Sequence, residues 1–201
     1  MPRMHGALPN LTRMPSDAAM DVVRAVFKEI REMYRTYNLL CVDMKCANIL
    51  VECPAGGAAR VRPADFGGYA DPGSMVSPTF PIPWQGPKGL WENGMRYMNI
   101  ASEEVCVYGI GVLFLELASA STDTRVYNMS HGACVADGHQ REENMAARWD
   151  SVVDEWTGDA RKLLEYASRI RSSAFDKTLQ ARTFDGLAEI LFPENVIVID
   201  D

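Results

Sequence analysis

The stretch CVDMKCANILV, residues 41–51, decides how this chain is read. Its ends are apolar. Leu39 and Leu40 run into Cys41, and Ile49, Leu50 and Val51 close it. Between them stand Asp43, Lys45 and Asn48, which interrupt what otherwise reads as a buried strand. A polar group taken out of water needs a partner, and a charge needs one more urgently. A carboxylate, an ammonium and an amide between two burying segments mark either an ordinary polar turn of a hairpin or a loop held in place for its side chains.

On the N-terminal side, residues 1–15 carry three prolines and no clear period, so they are expected to be irregular. Ser16 suits a helix N-cap, with Asp17 in the first turn where the helix dipole favours negative charge. Met20, Val23, Val26, Phe27, Ile30, Met33, Tyr34 and Tyr37 then recur at helical spacing. The pattern predicts a long amphipathic helix over about Asp17–Tyr37, ended by Asn38. Leu39–Cys41 and Ile49–Glu52 read as short strands, CPAGG (53–57) as a turn, and Ala58–Arg62 as the return strand of a hairpin. ADFGGYADPG (64–73) is turn-rich. Residues 71–94 are dense in proline and glycine and are expected to form a long loop, of the kind usually kept for function.

The second half is more helical. Glu103–Ala120 is apolar nearly all round, which predicts a central buried helix. Residues 121–142 are polar and irregular. Met145–Trp156 and Arg161–Arg171 have helical period, and Phe184–Leu191 reads as a short helix capped by Thr183. The tail NVIVIDD (195–201) alternates weakly and suits a strand or a docked extension. No internal repeat or domain boundary shows, so one α+β, mainly helical domain over 1–201 is expected.

Composition excludes several classes. With 201 residues, 47% apolar and 23% charged, the chain is long enough and greasy enough to bury a core. Its net charge of −7 shows no basic surplus or stripe, so no nucleic-acid partner is expected. The longest apolar run, Ile110–Ala120, contains Glu116 and is too short to span a bilayer. MPRMHGALPN lacks the apolar stretch of a signal peptide. An intracellular, soluble protein is expected, most simply cytoplasmic, with no membrane partner. The five cysteines (41, 46, 53, 106 and 134) are odd in number and lie mostly in apolar company, which fits reduced core thiols.

Asp43-x-Lys45-x-x-Asn48, then a hairpin, then Asp65-Phe66-Gly67, resembles the catalytic core of the eukaryotic-type serine/threonine protein kinases. That family carries H-R-D-L-K-x-x-N in its catalytic loop and D-F-G in its metal loop. Further stretches match. The long helix before the loop corresponds to the family's helix E. GIGVLFLEL (109–117) resembles the GVLLLEL of its buried helix F, and ARTFDGLAEIL (181–191) resembles the RPTFDELLEIL of its last helix. The resemblance spans about residues 1–191, and all of it is kinase C-lobe.

The resemblance implies roles. Asp43 would accept the proton of a substrate hydroxyl, and Lys45 would place a cation near the transferring phosphoryl group. Asn48 and Asp65 would offer hard oxygens to Mg²⁺. Leu50 resembles the floor residue under adenine, so Leu50 and Lys45 would contact ATP. The implied cofactors are ATP and Mg²⁺, and the implied partner is a protein substrate. Residues 65–94 would be an activation-type segment, and 192–201 a tail.

Departures from the pattern carry their own expectations. Cys41 and Val42 stand where the family has His and Arg. Without that Arg, phosphate on Ser77 or Thr79 has no partner from the catalytic loop. The Asp that starts helix F falls at Cys106, so its bonds to the catalytic loop are expected to be missing or to come from Glu103 or Glu104. No A-P-E motif shows, with Glu92 a weak substitute. No G-x-G-x-x-G occurs, and MPRMHGALPNL (1–11) resembles the hinge and the segment just after it. The expectation is a C-lobe without an N-lobe. Its exposed top face would be covered by the segment 1–11, the tail 195–201, a second copy or a partner chain.

Two functional classes remain open. One is a minimal or partner-completed serine/threonine kinase. The other is a catalytically inactive, pseudokinase-like module that binds proteins. Weaker patterns have bland readings. His131, Cys134 and His139 lack a fourth ligand at zinc spacing and suit a surface loop. Cys41 and Cys46 are too far apart for a C-x-x-C redox pair and suit core packing. Trp84 and Trp91 suit packing onto the lobe better than a substrate platform. Glu103-Glu104 and Asp154-Glu155 suit solvated helix faces better than a dock for basic peptides.

Overall fold

The computed structural model describes residues 14–52, 60–76, 99–118, 152–168 and 182–193. Within them the chain is α+β and mostly helical, with four α-helices and three two-stranded antiparallel sheets.

The first helix, α1 (Ser16–Tyr37), turns Met20, Val23, Val26, Phe27 and Ile30 inward at i, i+3, i+4 spacing. Asp17, Asp21, Lys28, Glu32 and Arg35 take the wet face. Ser16 is not its cap. It is the first helical residue, and Pro15 before it makes no side-chain capping bond. Asn38 ends the helix in the left-handed conformation (φ 55°, ψ 38°), and its N–H donates to Tyr34 O at 2.8 Å. This leaves β1 (Leu40–Cys41) heading back toward the core, one residue shorter than expected.

The hairpin strands form as anticipated. β2 (Ile49–Glu52) pairs with β3 (Arg60–Pro63), from Ile49 opposite Pro63 to Glu52 opposite Arg60. The turn expected at 53–57 lies outside the described residues. The return strand ends one residue later than the sequence predicts, on a proline whose missing N–H is tolerated at a strand terminus. β4 (Tyr69–Ala70) pairs with β1, Leu40 opposite Ala70 and Cys41 opposite Tyr69. The expected long loop over 71–94 needs correcting at its start. Met75–Val76 is a strand, β5, paired with β6 (Asn99–Ile100). Two residues of strand with a partner so far along the chain leave no alternation to read.

α2 (Glu103–Ala118) is the centre of the described fold. Eleven of its residues are buried, and it meets α1, β1, α3 (Gly158–Ser168) and α4 (Phe184–Leu191). α3 begins three residues earlier than its period suggests, and residues 169–171 lie outside the described residues. Of the expected helix 145–156 only 152–156 is described, where Val152 and Val153 are buried and the chain turns. Phe114 of α2 sets its ring edge-on to Trp156, 4.9 Å between centroids. α4 has the expected limits, and Thr183 Oγ1 accepts from Gly186 N at 3.2 Å, as a cap should.

Glu103 and Glu104 are not a solvated acidic face. Glu103 accepts from Phe184 N at 2.5 Å and Glu104 from Arg182 N at 3.3 Å. Both carboxylates sit at the N-terminus of α4, where unpaired N–H groups and the helix dipole favour negative charge. At the other end of α4, Arg24 Nε donates to Leu191 O at 2.9 Å.

Candidate active site

The polar loop lies between β1 and β2 and is pinned at three places. Val42 N donates to Gly68 O at 2.8 Å, and Ala64 N donates to Asn48 O at 2.6 Å. Both ends of the 43–48 loop are thus laced to the 64–68 turn. Asp65 directly follows the residue bonded to Asn48, so the hairpin brings the two loops together. The third pin is Glu116 of α2, whose carboxylate accepts from Cys46 N at 2.6 Å.

Close approach needs two glycines. A Cβ on Gly68 would stand 3.0 Å from Asp43 Cβ, and one on Gly109 of α2 would stand 2.8 Å from Met44 Cβ. Glycine at these positions lets the turn and the buried helix come against the loop. Gly109→Ala is therefore expected to push Met44, the neighbour of Asp43, out of place. Overpacking of this kind costs about 1–3 kcal/mol, offset by up to about 1 kcal/mol of helix propensity. Urea unfolding should show a net loss near 1–2 kcal/mol, and a gain in stability would refute the close contact.

Within the loop the polar side chains partner one another. Asp43 is 8% exposed. Its Oδ2 accepts from Lys45 Nζ at 2.6 Å and from Asn48 Nδ2 at 3.1 Å. Asn48 Nδ2 also donates to Asp43 O at 2.9 Å. Both neighbours are acceptors, so the amide must face them with its NH₂, and its oxygen is the end not committed to Asp43. Asp43 Oδ1 is buried and has no partner among the described residues. Buried polar atoms without partners are rare.

Asp65 is exposed and adopts a left-handed backbone conformation, φ 60°. That region is uncommon for a residue with a side chain, and aspartate tolerates it by bonding its own turn. Here Asp65 Oδ1 accepts from Gly67 N at 3.2 Å, and Gly68 N donates to Asp65 O at 2.9 Å. Leu50 sits half-buried on β2, across from Arg62. The loops thus gather Asp43, Lys45 and Asn48 in direct contact and bring the Asp65 turn against them. Among the described residues no three His, Cys, Asp or Glu side chains gather as a metal cluster. An amide oxygen and one carboxylate are still a donor set that suits Mg²⁺, which keeps waters and takes phosphate oxygens for its remaining positions.

Thiols frame the site without joining its chemistry. Cys106 Sγ donates to Cys41 O at 3.0 Å. The link from α2 to the start of the loop therefore exists, and it is made by the thiol at the expected Asp position. The expectation that bonds from this helix to the loop would be missing, or would come from Glu103 or Glu104, is thereby corrected: Cys106 makes one, while Glu103 binds Phe184 N and Glu104 binds Arg182 N. Burial pushes the Cys41 thiol up to about 12 and raises those of Cys46 and Cys106 as well. Such thiols stay protonated and inert. Glu116, which in the sequence is only a charge inside an apolar run, is the loop's long-range anchor. Burial raises its pKa, while the amide and thiol of Cys46 and the nearby Lys45 pull it back.

Ser77, Thr79, Trp84, Trp91, Glu92, His131, Cys134, His139 and both segments expected to cover the top face lie outside the described residues. Among the described residues no helix is long and apolar enough to cross a membrane. The chain matches no protein-family model, and comparison with curated proteins finds no similar sequence.

Proposed function

We propose that this chain carries a serine/threonine protein kinase-like phosphotransferase site that uses ATP and Mg²⁺. The observation that supports it best is the Asp43 carboxylate. One oxygen is held by Lys45 and Asn48, and the other is buried with no partner among the described residues. In this reading the Asp43 carboxylate accepts the proton of a substrate serine or threonine hydroxyl as the oxygen attacks phosphorus. Lys45 holds Asp43 in one orientation through its bond to Oδ2, and places a cation beside the charge that develops on the phosphoryl group. Asn48 and Asp65 would hold Mg²⁺, which when bound neutralises phosphate charge. Leu50 offers apolar surface to the adenine ring. The described residues contain no Gly-rich phosphate loop, and in this reading the grip on the α- and β-phosphates is either dispensed with, as in a minimal kinase, or lent by a partner chain or a second copy.

The test is thermal. A non-hydrolysable ATP analogue with Mg²⁺, at a hundredfold excess over its Kd, should stabilise the fold by about 2.7 kcal/mol. For a chain of this length that is roughly 5–10 °C in melting temperature. Omitting Mg²⁺ should remove most of the shift. No shift with either would leave the loop's polar residues a purely structural cluster and favour the non-catalytic binding module.

A further inference from the structure

We infer that Glu116 is the positioning residue of the polar loop, acting through Cys46 rather than through substrate. The inference deepens the phosphotransfer reading and, for its kinetic part, rests on it. Three observations carry it. Glu116 stands in the last described turn of α2, between the buried Leu115 and Leu117, and a carboxylate placed there needs a partner. Its partner is a backbone group of the loop itself, Cys46 N–H, at 2.6 Å, the short length of a charge-assisted bond. That bond is part-buried and joins residues 70 positions apart.

The place of contact matters. Cys46 opens the 3₁₀ turn Cys46–Asn48, so its amide fixes where that turn begins. Lys45, just before it, is extended at φ −160°, ψ 157° and reaches back to Asp43. Asn48, at the turn's other end, also reaches back to Asp43. One carboxylate on the central buried helix thus sets the spacing between Lys45 and Asn48 on either side of Asp43. Gly109, about two turns earlier on the same helix, allows the approach by leaving room for Met44.

The experiment compares the wild-type chain with Glu116→Gln, Glu116→Ala and Cys46→Pro, and with Cys46→Pro/Glu116→Gln. Proline removes the amide donor at a position whose preceding residue is already extended, as proline prefers. Hydrogen exchange of the 43–48 amides is read against that of α1. Loss of the charged bond should speed exchange in 43–48 about tenfold while α1 is unchanged. Glutamine, which keeps a neutral acceptor, should recover part of what alanine loses. Adding Glu116→Gln to Cys46→Pro should do no further harm, because the bond is already gone. In phosphotransfer the same variants should lower kcat while the KM for ATP moves little. Unchanged exchange in Glu116→Gln and Glu116→Ala overturns the inference. So does faster exchange spread evenly over α1 and α2, which would make Glu116 a general packing residue. If the wild-type chain neither binds Mg²⁺-nucleotide nor transfers phosphate, the phosphotransfer reading fails, and the exchange data still decide whether Glu116 positions the loop.

Discussion

Asp43→Asn is expected to lower phosphotransfer by about 10²–10⁴-fold, the range lost with a general base. The substitution is nearly isosteric, so Asn48 and Lys45 keep a neighbour of the same shape. What disappears is the negative charge that pairs with Lys45 Nζ at 2.6 Å and the basic oxygen, Oδ1, that waits without a partner among the described residues. Folding should survive, because Asp43 sits in a loop and the core residues around it do not change. The check is a radiolabelled phosphate-transfer assay beside far-UV circular dichroism, on a completed enzyme if a partner supplies the N-lobe. A variant that keeps its fold and more than about a tenth of its activity would remove Asp43 from the chemistry.

Phe114→Ala should cost about 3–5 kcal/mol of stability, the usual loss for a buried aromatic truncated to alanine. Phe114 is fully buried on α2, and its ring edge meets Trp156. The cavity would open between α2 and the 152–156 turn. Marginal stability of about 5–15 kcal/mol makes this a large fraction of the total. Urea unfolding followed by tryptophan fluorescence reads it directly. A loss below about 1 kcal/mol would mean that the ring is not part of a packed core. Because α2 also carries Glu116 and Gly109, the variant should loosen the polar loop as well.

Much of the architecture is legible in the chain. The buried stripe of α1, the apolar belt of α2, the paired strands β2 and β3 and the limits of α4 can all be read there. Each is written in residues within about one or two turns of each other, as periodicity, a Thr cap or a Gly-rich break. The polar loop is legible for the same reason: Asp43, Lys45 and Asn48 lie within one short segment and bond to one another there.

Ser16 misleads because a Ser-Asp pair resembles a helix start even when the preceding proline already sets the direction from which the chain arrives. The acidic residues mislead for a deeper reason. Glu103 and Glu104 look like a wet helix face until Phe184 of α4 and Arg182, just ahead of its cap, bring their N–H groups to them, from 81 and 78 residues away. Glu116 looks like a flaw in an apolar run until the loop presents Cys46, 70 residues earlier. Cys106 looks like a lost aspartate until its thiol meets Cys41 O, 65 residues distant. Local pattern specifies which residues are helical, which are buried and which form the polar loop, because those preferences act between near neighbours. Where the buried charges and thiols find their partners is decided by tertiary packing, because a hydrogen bond between distant segments imposes no spacing on the chain that makes it.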